Sequence, residues 1–364
     1  MQLMVDLGDR SYPVVVTAEG MGGLGEAIRK TLPDVVRVVA VSNETVWPLF
    51  SKAVVASMAR VGIQVDPIVV PDGEAEKSVS RWQSVVARML DLGIDRSTPV
   101  VAVGGGVVGD LAGFAAATVL RGVPFVQVPT TLLAMVDSSV GGKTGINTPH
   151  GKNLIGAFHQ PKLVYASIAA LNHLPEQEFQ SGLGEVLKHG LLADSVLFER
   201  CRTETASIAR READVIEDMV VRSIQVKANV VAQDEREGGL RAVLNLGHTV
   251  GHAVETVLMG TPNALPHGIC VGIGLAAEVA WAVQRGACLG ATQESVVEAL
   301  VSLGLPIAPP QIDPNAVVQA AAFDKKNRRG KLVTPIVEGV GQVRLIEIDL
   351  DERSELFNSL PGFS

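Results

Sequence analysis

Two regimes of apolar patterning divide the chain. In the first, short β-branched runs alternate with stretches of helical period. Met1 to Val16 alternates apolar and polar residues as a strand does, "VVRVVAVS" at 35–42 is a continuous apolar run, Val46 to Val61 has the length of a helix, and Val65 to Val70 is a second run. That order predicts a βαβ unit. A helix near Ser80 to Leu92 leads into the apolar "PVVAVGGG", and "PFVQVP" at 124–129 adds another strand. Runs with no polar face belong to parallel strands covered on both sides by helices. Beyond Glu176 the second regime begins: Ser195 to Ala232 and Gly268 to Ala282 carry helical periodicity without a clear strand signal. The pattern predicts an N-terminal α/β domain with a Rossmann-like parallel sheet over residues 1–175, followed by an all-α C-terminal domain over residues 176–364, with the boundary near Pro175.

Composition narrows the chemistry. A chain of 364 residues, 47% hydrophobic and 19% charged, can bury two cores and excludes a disordered or fibrous protein. The net charge of −8 argues against a nucleic-acid partner, which needs Lys and Arg concentrated on one face. Pro99 to Leu120 is apolar enough to suggest a membrane span, but Asp110 and the glycines at 104–106 fit a buried strand, loop and helix better. Neither a signal peptide nor paired cysteine spacing is evident. Cys201, Cys270 and Cys288 read as core thiols, and a cytoplasmic protein without a membrane partner is expected.

Glycine-rich turns follow the predicted strands. Gly104, Gly106 and Gly109 satisfy GxGxxG between a strand and a helix, where backbone amides can face a pyrophosphate, and this makes the first domain a candidate nucleotide-binding domain. The acidic ribose-binding residue expected about 20 residues later is missing, so a plain strand-to-helix turn is an open alternative. A second polar turn, "VSNET", ends an earlier strand. "DSSVGGKTGIN" looks like a phosphate loop, yet Asp137 stands where the Walker pattern needs glycine. Ser138, Ser139, Lys143 and Thr144, with Lys152 and Asn153 in "HGKNLIGAF", can still hold a phosphate from glycine-rich loops.

In the second half, "LNLGHTVGHAVE" sets His248 and His252 four residues apart on one helical face, "GLGEVLKHG" offers Glu185, Lys188 and His189, and "ALPHGICVG" offers His267. Two histidines and a carboxylate from three segments can form a catalytic zinc site with one position open. Histidines in apolar helices also serve as hydrogen-bonded core residues, and that reading stays open at this point. A zincin is disfavoured, because no Glu follows His248.

The segments "DGEAEK" at 72–77, "GGGVVGD" at 104–110, "PTTLLAMVDSSVGGKTGIN" at 129–147, "GKNLIGAFHQP" at 151–161, "GLGEVLKHG" and "LNLGHTVGHA" together resemble the 3-dehydroquinate synthase family of sugar-phosphate cyclases, in order and over nearly the whole chain. The resemblance implies a cytoplasmic homodimer with bound NAD and one divalent ion, zinc or cobalt. It implies Glu185, His248 and His267 as metal ligands. Cofactor contacts carry over onto Asn43, onto Asp72, Gly73, Glu74 and Lys77, and onto Gly105, Gly106, Val107, Val108, Gly109 and Asp110. Others fall on Thr130 and Thr131, on Lys143 and Lys152, and on Ala170, Leu171, Asn172 and His173. The substrate pocket carries over onto Asp137, Asn153, Lys188, Lys227, Arg241, Asn245 and His252, with Arg121 reaching the partner subunit's site and a last lysine at Lys326 or Lys331. In this family 3-deoxy-D-arabino-heptulosonate 7-phosphate becomes 3-dehydroquinate and phosphate through transient NAD-dependent oxidation, phosphate elimination, reduction and aldol closure. That is the second step of the shikimate pathway to aromatic amino acids. Lys152, Asn153 and His252 are then expected to hold the phosphate, and Lys227 and Arg241 the carboxylate.

The chain departs from the family at Asn43, where an aspartate for the adenosine ribose is common, and Asp72 and Glu74 are expected to keep NAD preferred over NADP. Rival readings are another sugar-phosphate cyclase, a metal-dependent polyol dehydrogenase, and a P-loop NTPase. Arg241 and Asn245 favour a keto-acid substrate over an uncharged sugar phosphate.

Overall fold

The computed structural model describes residues 1–322 and 331–361. The chain divides into two compact units: Met1–Leu174 with Ile216–Ala232, and Pro175–Val215 with Gln233–Ser364. Where the sequence suggested a single boundary near Pro175, the first unit therefore also takes in most of one later helix.

In the first unit, β1 (Gln2–Val5), β2 (Tyr12–Thr17), α1 (Leu24–Thr31), β3 (Arg37–Asn43), α2 (Trp47–Arg60), β4 (Gln64–Val70), α3 (Val79–Asp91), β5 (Val100–Gly104), α4 (Gly106–Thr118), β6 (Phe125–Pro129), β7 (Lys143–Thr148), β8 (Gly151–Phe158) and β9 (Leu163–Ser167) follow in order. Seven strands form one sheet in the order β1-β2-β9-β6-β5-β3-β4. All neighbours are parallel except β1 and β2, which pair antiparallel at one edge. The all-apolar runs take the middle: β5, β6 and β9 are buried at every residue. Pro67 lies on β4, an edge strand, where its missing N–H interrupts no ladder. Val85, Met89, Leu111, Ala112 and Ala115 of α3 and α4 close over Val39, Val41, Val100 and Ala102. This sheet sets Asn43, Asp72, Gly104 and Thr130 at or just past the carboxyl ends of β3, β4, β5 and β6, where open α/β sheets bind ligands.

The stretches read as glycine-rich loops fold differently. Lys143–Thr148 and Gly151–Phe158 pair antiparallel as the β7–β8 hairpin, outside the main sheet. Their short polar runs between glycines hid a strand pattern that only the pairing reveals. Tyr12 of β2, fully buried, accepts the Gly141 N–H at 3.1 Å and so pins the turn that enters β7.

The second unit comprises α5 (Glu176–Ala193), α6 (Ser195–Thr203), α7 (Thr205–Ala209), the ends of α8 (Ala213–Gln233), α9 (His248–Leu258), α10 (His267–Gln284), α11 (Gly290–Ser302), α12 (Pro314–Ala322) and α13 (Leu350–Asn358). It is helical, as the periodicity predicted, with one correction to all-α: β10 (Leu332–Gly339) and β11 (Gln342–Ile348) form an antiparallel ribbon. Val333 and Glu338 exposed beside Ile336 and Val337 buried is a half-buried strand pattern, and the reading from Glu176 onward passed over it. α10 is apolar and long enough to cross a membrane, yet it is 83% buried within the chain and serves as a core helix.

Replacing Tyr12 by Phe removes the acceptor for a buried amide, so it should destabilise the chain by about 1–3 kcal/mol, read as a fall in thermal midpoint.

Candidate functional site

The helices of the second unit meet at glycines. A Cβ on Gly184 of α5 would lie 2.0 Å from the Gly268 carbonyl, and one on Gly274 of α10 would lie 1.9 Å from the Gly247 carbonyl, so α5 and α9 both touch α10 backbone to backbone. Glu185, His267 and His248 each follow or precede one of these glycines directly. Short side chains on three helices thereby reach one point.

At that point His248 Nε2 and His267 Nε2 each stand 3.5 Å from Glu185 Oε1. Glu185 is fully buried, and among the described residues its oxygens meet the Lys188 ammonium, one turn along α5 and against Oε2, and the two imidazole nitrogens facing Oε1. Burial alone would raise this carboxyl, but Lys188, His248 and His267 outweigh it and hold it well below the usual range. Burial and the neighbouring Lys188 push His248 well down, which keeps the imidazole neutral. Burial lowers His267 too, but its contacts with Glu185 and Glu255 prevail and raise it to about 10.

Both imidazoles are oriented from behind. His248 Nδ1 donates to the Leu246 carbonyl at 3.0 Å, and His267 Nδ1 donates to Glu255 Oε2 at 3.0 Å. On neutral His248, Nε2 is then the lone-pair atom facing Glu185, while protonated His267 turns its Nε2–H to the same carboxylate. A buried carboxylate and two neutral-capable imidazoles, each fixed through its far nitrogen, make up the donor set a zinc-like divalent ion takes. His252, one turn past His248, brings a ring nitrogen within 4.8 Å of those of His248 and His267. Glu255 was not singled out in the sequence; its spacing of seven from His248, two turns along the same helix face, was the available signal.

Arg241 and Asn245 occupy the short helical turn Leu240–Asn245. Asp234 shapes its approach by accepting the N–H groups of Gly238, Gly239 and Arg241 at 2.7–2.9 Å, and these amides lower its carboxyl. Arg241 itself is buried, with Nη1 donating to the Glu235 carbonyl at 2.6 Å. Lys331 pairs with Glu347 on the surface, while Lys326 lies outside the described residues.

In the first unit the predicted cofactor residues form a polar rim beyond the strand ends. Asn43 Nδ2 donates to Asp72 Oδ1 at 2.6 Å, and Thr45 Oγ1 donates to Asp72 Oδ2 at 2.7 Å. Asn43 also accepts the Val46 N–H at 2.7 Å. Lys77, buried, reaches Asp110 Oδ2 at 2.5 Å; burial raises Asp110, and Lys77 opposes the rise. Glu74 accepts from Asn147 Nδ2 at 2.7 Å. Gly105, Gly106, Val107, Val108 and Gly109 make the turn into α4 and its first residues, with Thr131 packed on Gly105. Ala170, Leu171, Asn172 and His173 lie in the turn after β9, where His173 meets Phe50 edge-on.

Asp137 sits in a π-helical turn, Ala134–Ser138, and Lys227 of α8 donates to both its side chain and its carbonyl at 2.6 Å. Lys143 opens β7; Lys152 and Asn153 stand near the start of β8, exposed, with Asn153 in left-handed backbone at φ 54°. Leu120, Arg121 and Gly122 are left-handed in succession (φ 51°, 68° and 115°), a strained run for two side-chain-bearing residues.

Comparison with known proteins bears on this geometry. A family model described as 3-dehydroquinate synthase N-terminal matches residues 67–181, and one described as 3-dehydroquinate synthase C-terminal matches residues 182–327. The 3-dehydroquinate synthase of Pelobacter propionicus is 43% identical over 351 residues, covering 96% of this chain and 97% of its own. The chain belongs to the 3-dehydroquinate synthase family. The 3-dehydroquinate synthase of Citrifermentans bemidjiense is 45% identical over 345 residues, covering 94% of each chain. Among solved structures, 2-epi-5-epi-valiolone synthase from Streptomyces hygroscopicus, with NAD+ and Zn2+ bound, superposes with a TM-score of 0.87 at 28% identity over 98% of both chains.

If the far-side carboxylate orients a metal ligand, Glu255→Ala should weaken zinc binding by about 10–100-fold in a chelator competition, and Glu255→Gln, which keeps an acceptor for His267 Nδ1, should lose much less.

Proposed function

We propose that this chain is a 3-dehydroquinate synthase, a phosphate-eliminating carbon–oxygen lyase that converts 3-deoxy-D-arabino-heptulosonate 7-phosphate to 3-dehydroquinate and phosphate in the shikimate pathway. The observation that carries this reading is the Glu185, His248 and His267 cluster, present in a chain that matches 3-dehydroquinate synthases almost end to end. That likeness favours this activity over the other cyclases and the polyol dehydrogenases.

Glu185, His248 and His267 would hold one zinc or cobalt ion, which when bound supplies a Lewis acid for a substrate oxygen. The rim formed by Asn43, Asp72, Gly73, Glu74, Lys77, the turn from Gly105 to Asp110, Thr130 and Thr131 would hold NAD, which supplies a reversible hydride acceptor. Lys143, Lys152 and residues Ala170 to His173 would extend that contact.

The chain's own side chains match an anionic substrate in charge. In the first unit, Lys152 and Asn153 would meet the phosphate, and Lys227, already positioned by Asp137, would meet the carboxylate. In the second, His252 suits the phosphate and Arg241 the carboxylate, with Asn245 beside Arg241. Lys188 keeps Glu185 ionised, so the carboxylate needs no proton removed before it acts as a ligand. We assign no side chain as the proton-abstracting base, since the departing phosphate can serve.

A homodimer is part of the proposal, with Arg121 reaching the partner's site; the strained backbone at 120–122 supports a functional position there. No disulfide joins the buried Cys201, Cys270 and Cys288 among the described residues, which supports a reducing, cytoplasmic setting.

Supplied with the heptulosonate phosphate and NAD, the protein should release phosphate and 3-dehydroquinate without accumulating NADH. Chelation should abolish both products, and zinc or cobalt should restore them. Turnover surviving chelation, or NADH building up with product, would overturn the reading.

Asp72, held at the strand ends by Asn43 and Thr45, presents the negative charge that the usual ribose aspartate would carry and should repel a 2′-phosphate. NAD should therefore bind more tightly than NADP in a fluorescence titration, and Asp72→Asn should narrow the gap; equal affinities in the unmodified protein would refute this.

A further inference from the structure

Helix α9 begins without a cap of its own. Its N-cap residue is Gly247, in left-handed backbone at φ 77°, with no side chain to accept the exposed amides of the first turn. There is no room for one: a Cβ on Gly247 would lie 2.8 Å from the Val271 carbonyl, and the facing Gly274 of α10 admits no Cβ either. The next residue is His248, so an uncapped and poorly held first turn would carry a metal ligand.

The missing acceptor comes from the neighbouring helix. Glu278 lies four residues after Gly274, on the same face of α10, and is almost completely buried. Its Oε2 accepts the Gly247 N–H at 2.7 Å, and its other oxygen accepts no hydrogen bond among the described residues. The carboxyl's one close tie is therefore to the start of α9. Leu246 completes the arrangement by accepting from His248 Nδ1, so the residues on both sides of the peptide entering His248 are anchored. Among the described residues no hydrogen bond or ion pair joins Glu278 to Glu185 or to the His248 and His267 rings.

We propose that Glu278 is a positioning residue of the metal site: by capping α9 from α10 it fixes the backbone that aims His248, and so sets metal affinity. This rests on the reading that Glu185, His248 and His267 hold the ion. Burial pushes the Glu278 carboxyl up to about 8, against the pull of the Gly247, Val250 and Thr249 amides towards its charged form. Either form keeps an acceptor for Gly247, which makes glutamine the conservative substitution.

The test measures zinc affinity by chelator competition, the visible spectrum of the cobalt-loaded protein, and NAD affinity by titration. Glu278→Ala should bind zinc about 10–100-fold more weakly and alter the cobalt spectrum, while NAD affinity is unchanged. Glu278→Met, which fills the volume without an acceptor, should behave alike and carries the test if the alanine variant does not fold. Glu278→Gln should stay near the parent protein. Val296→Ala, a cavity in α11 remote in sequence from all three ligands, provides a variant that loses stability without touching the cap. Unchanged zinc affinity in folded Glu278→Met, or an equal loss in Val296→Ala, overturns the proposal. A Glu185→Ala variant that keeps its zinc overturns the ligand reading instead, and this inference with it.

Discussion

A carboxylate and two imidazoles on three helices here share one point where those helices come into backbone contact, nearer than an ordinary helix spacing of 8–10 Å. The glycines at 184, 268, 247 and 274 permit that contact, and each ligand is the chain neighbour of one of them. The same contact removes the side chains that would normally cap and space the helices, so the fold must supply acceptors from elsewhere. Glu278 of α10 fills that role for the Gly247 N–H, while Glu255 of α9 orients the His267 ring.

Charge is the second consequence. Burying Glu185 without partners would cost several kcal/mol, and Lys188 one turn away offsets this by keeping the pair nearly neutral. His248 is driven neutral and His267 charged by the same neighbourhood. The cluster therefore sets one buried carboxylate and one neutral imidazole beside a protonated one, and a divalent ion would take the place of the proton on His267.

In the first unit the organising device is different: a parallel sheet brings four chain segments to one edge, and their polar residues satisfy one another. Asn43 and Asp72 are 29 residues apart in sequence and 2.6 Å apart in space because β3 and β4 run parallel and in register, Asn43 opposite Val70. The carboxylate at these strand ends is that of Asp72, just past β4, with Asn43 as its hydrogen-bond donor. The left-handed run at Leu120 to Gly122 and the π-helical turn carrying Asp137 are local departures from regular backbone in this same unit.

The sequence by itself determined much. Mostly apolar, β-branched runs such as "VVAVG" and "FVQVP" read as central strands, helical periodicity marked α10, and the order of unusual motifs around Lys143, Glu185 and His248 identified the family. Those signals are local: periodicity and motif spacing are written within a few turns of chain. What lay beyond them depended on contacts between distant segments. The pairing of β7 with β8 and of β10 with β11, and the transfer of Ile216–Ala232 to the first unit, have no signature in either partner alone. By spacing, His248 and His252 were equivalent candidates on one helix face. The resemblance to the family set His248 apart as the expected ligand; what the tertiary structure adds is the placement of His248 Nε2 3.5 Å from Glu185 Oε1 beside the Gly247–Gly274 backbone contact, which no residue within α9 encodes.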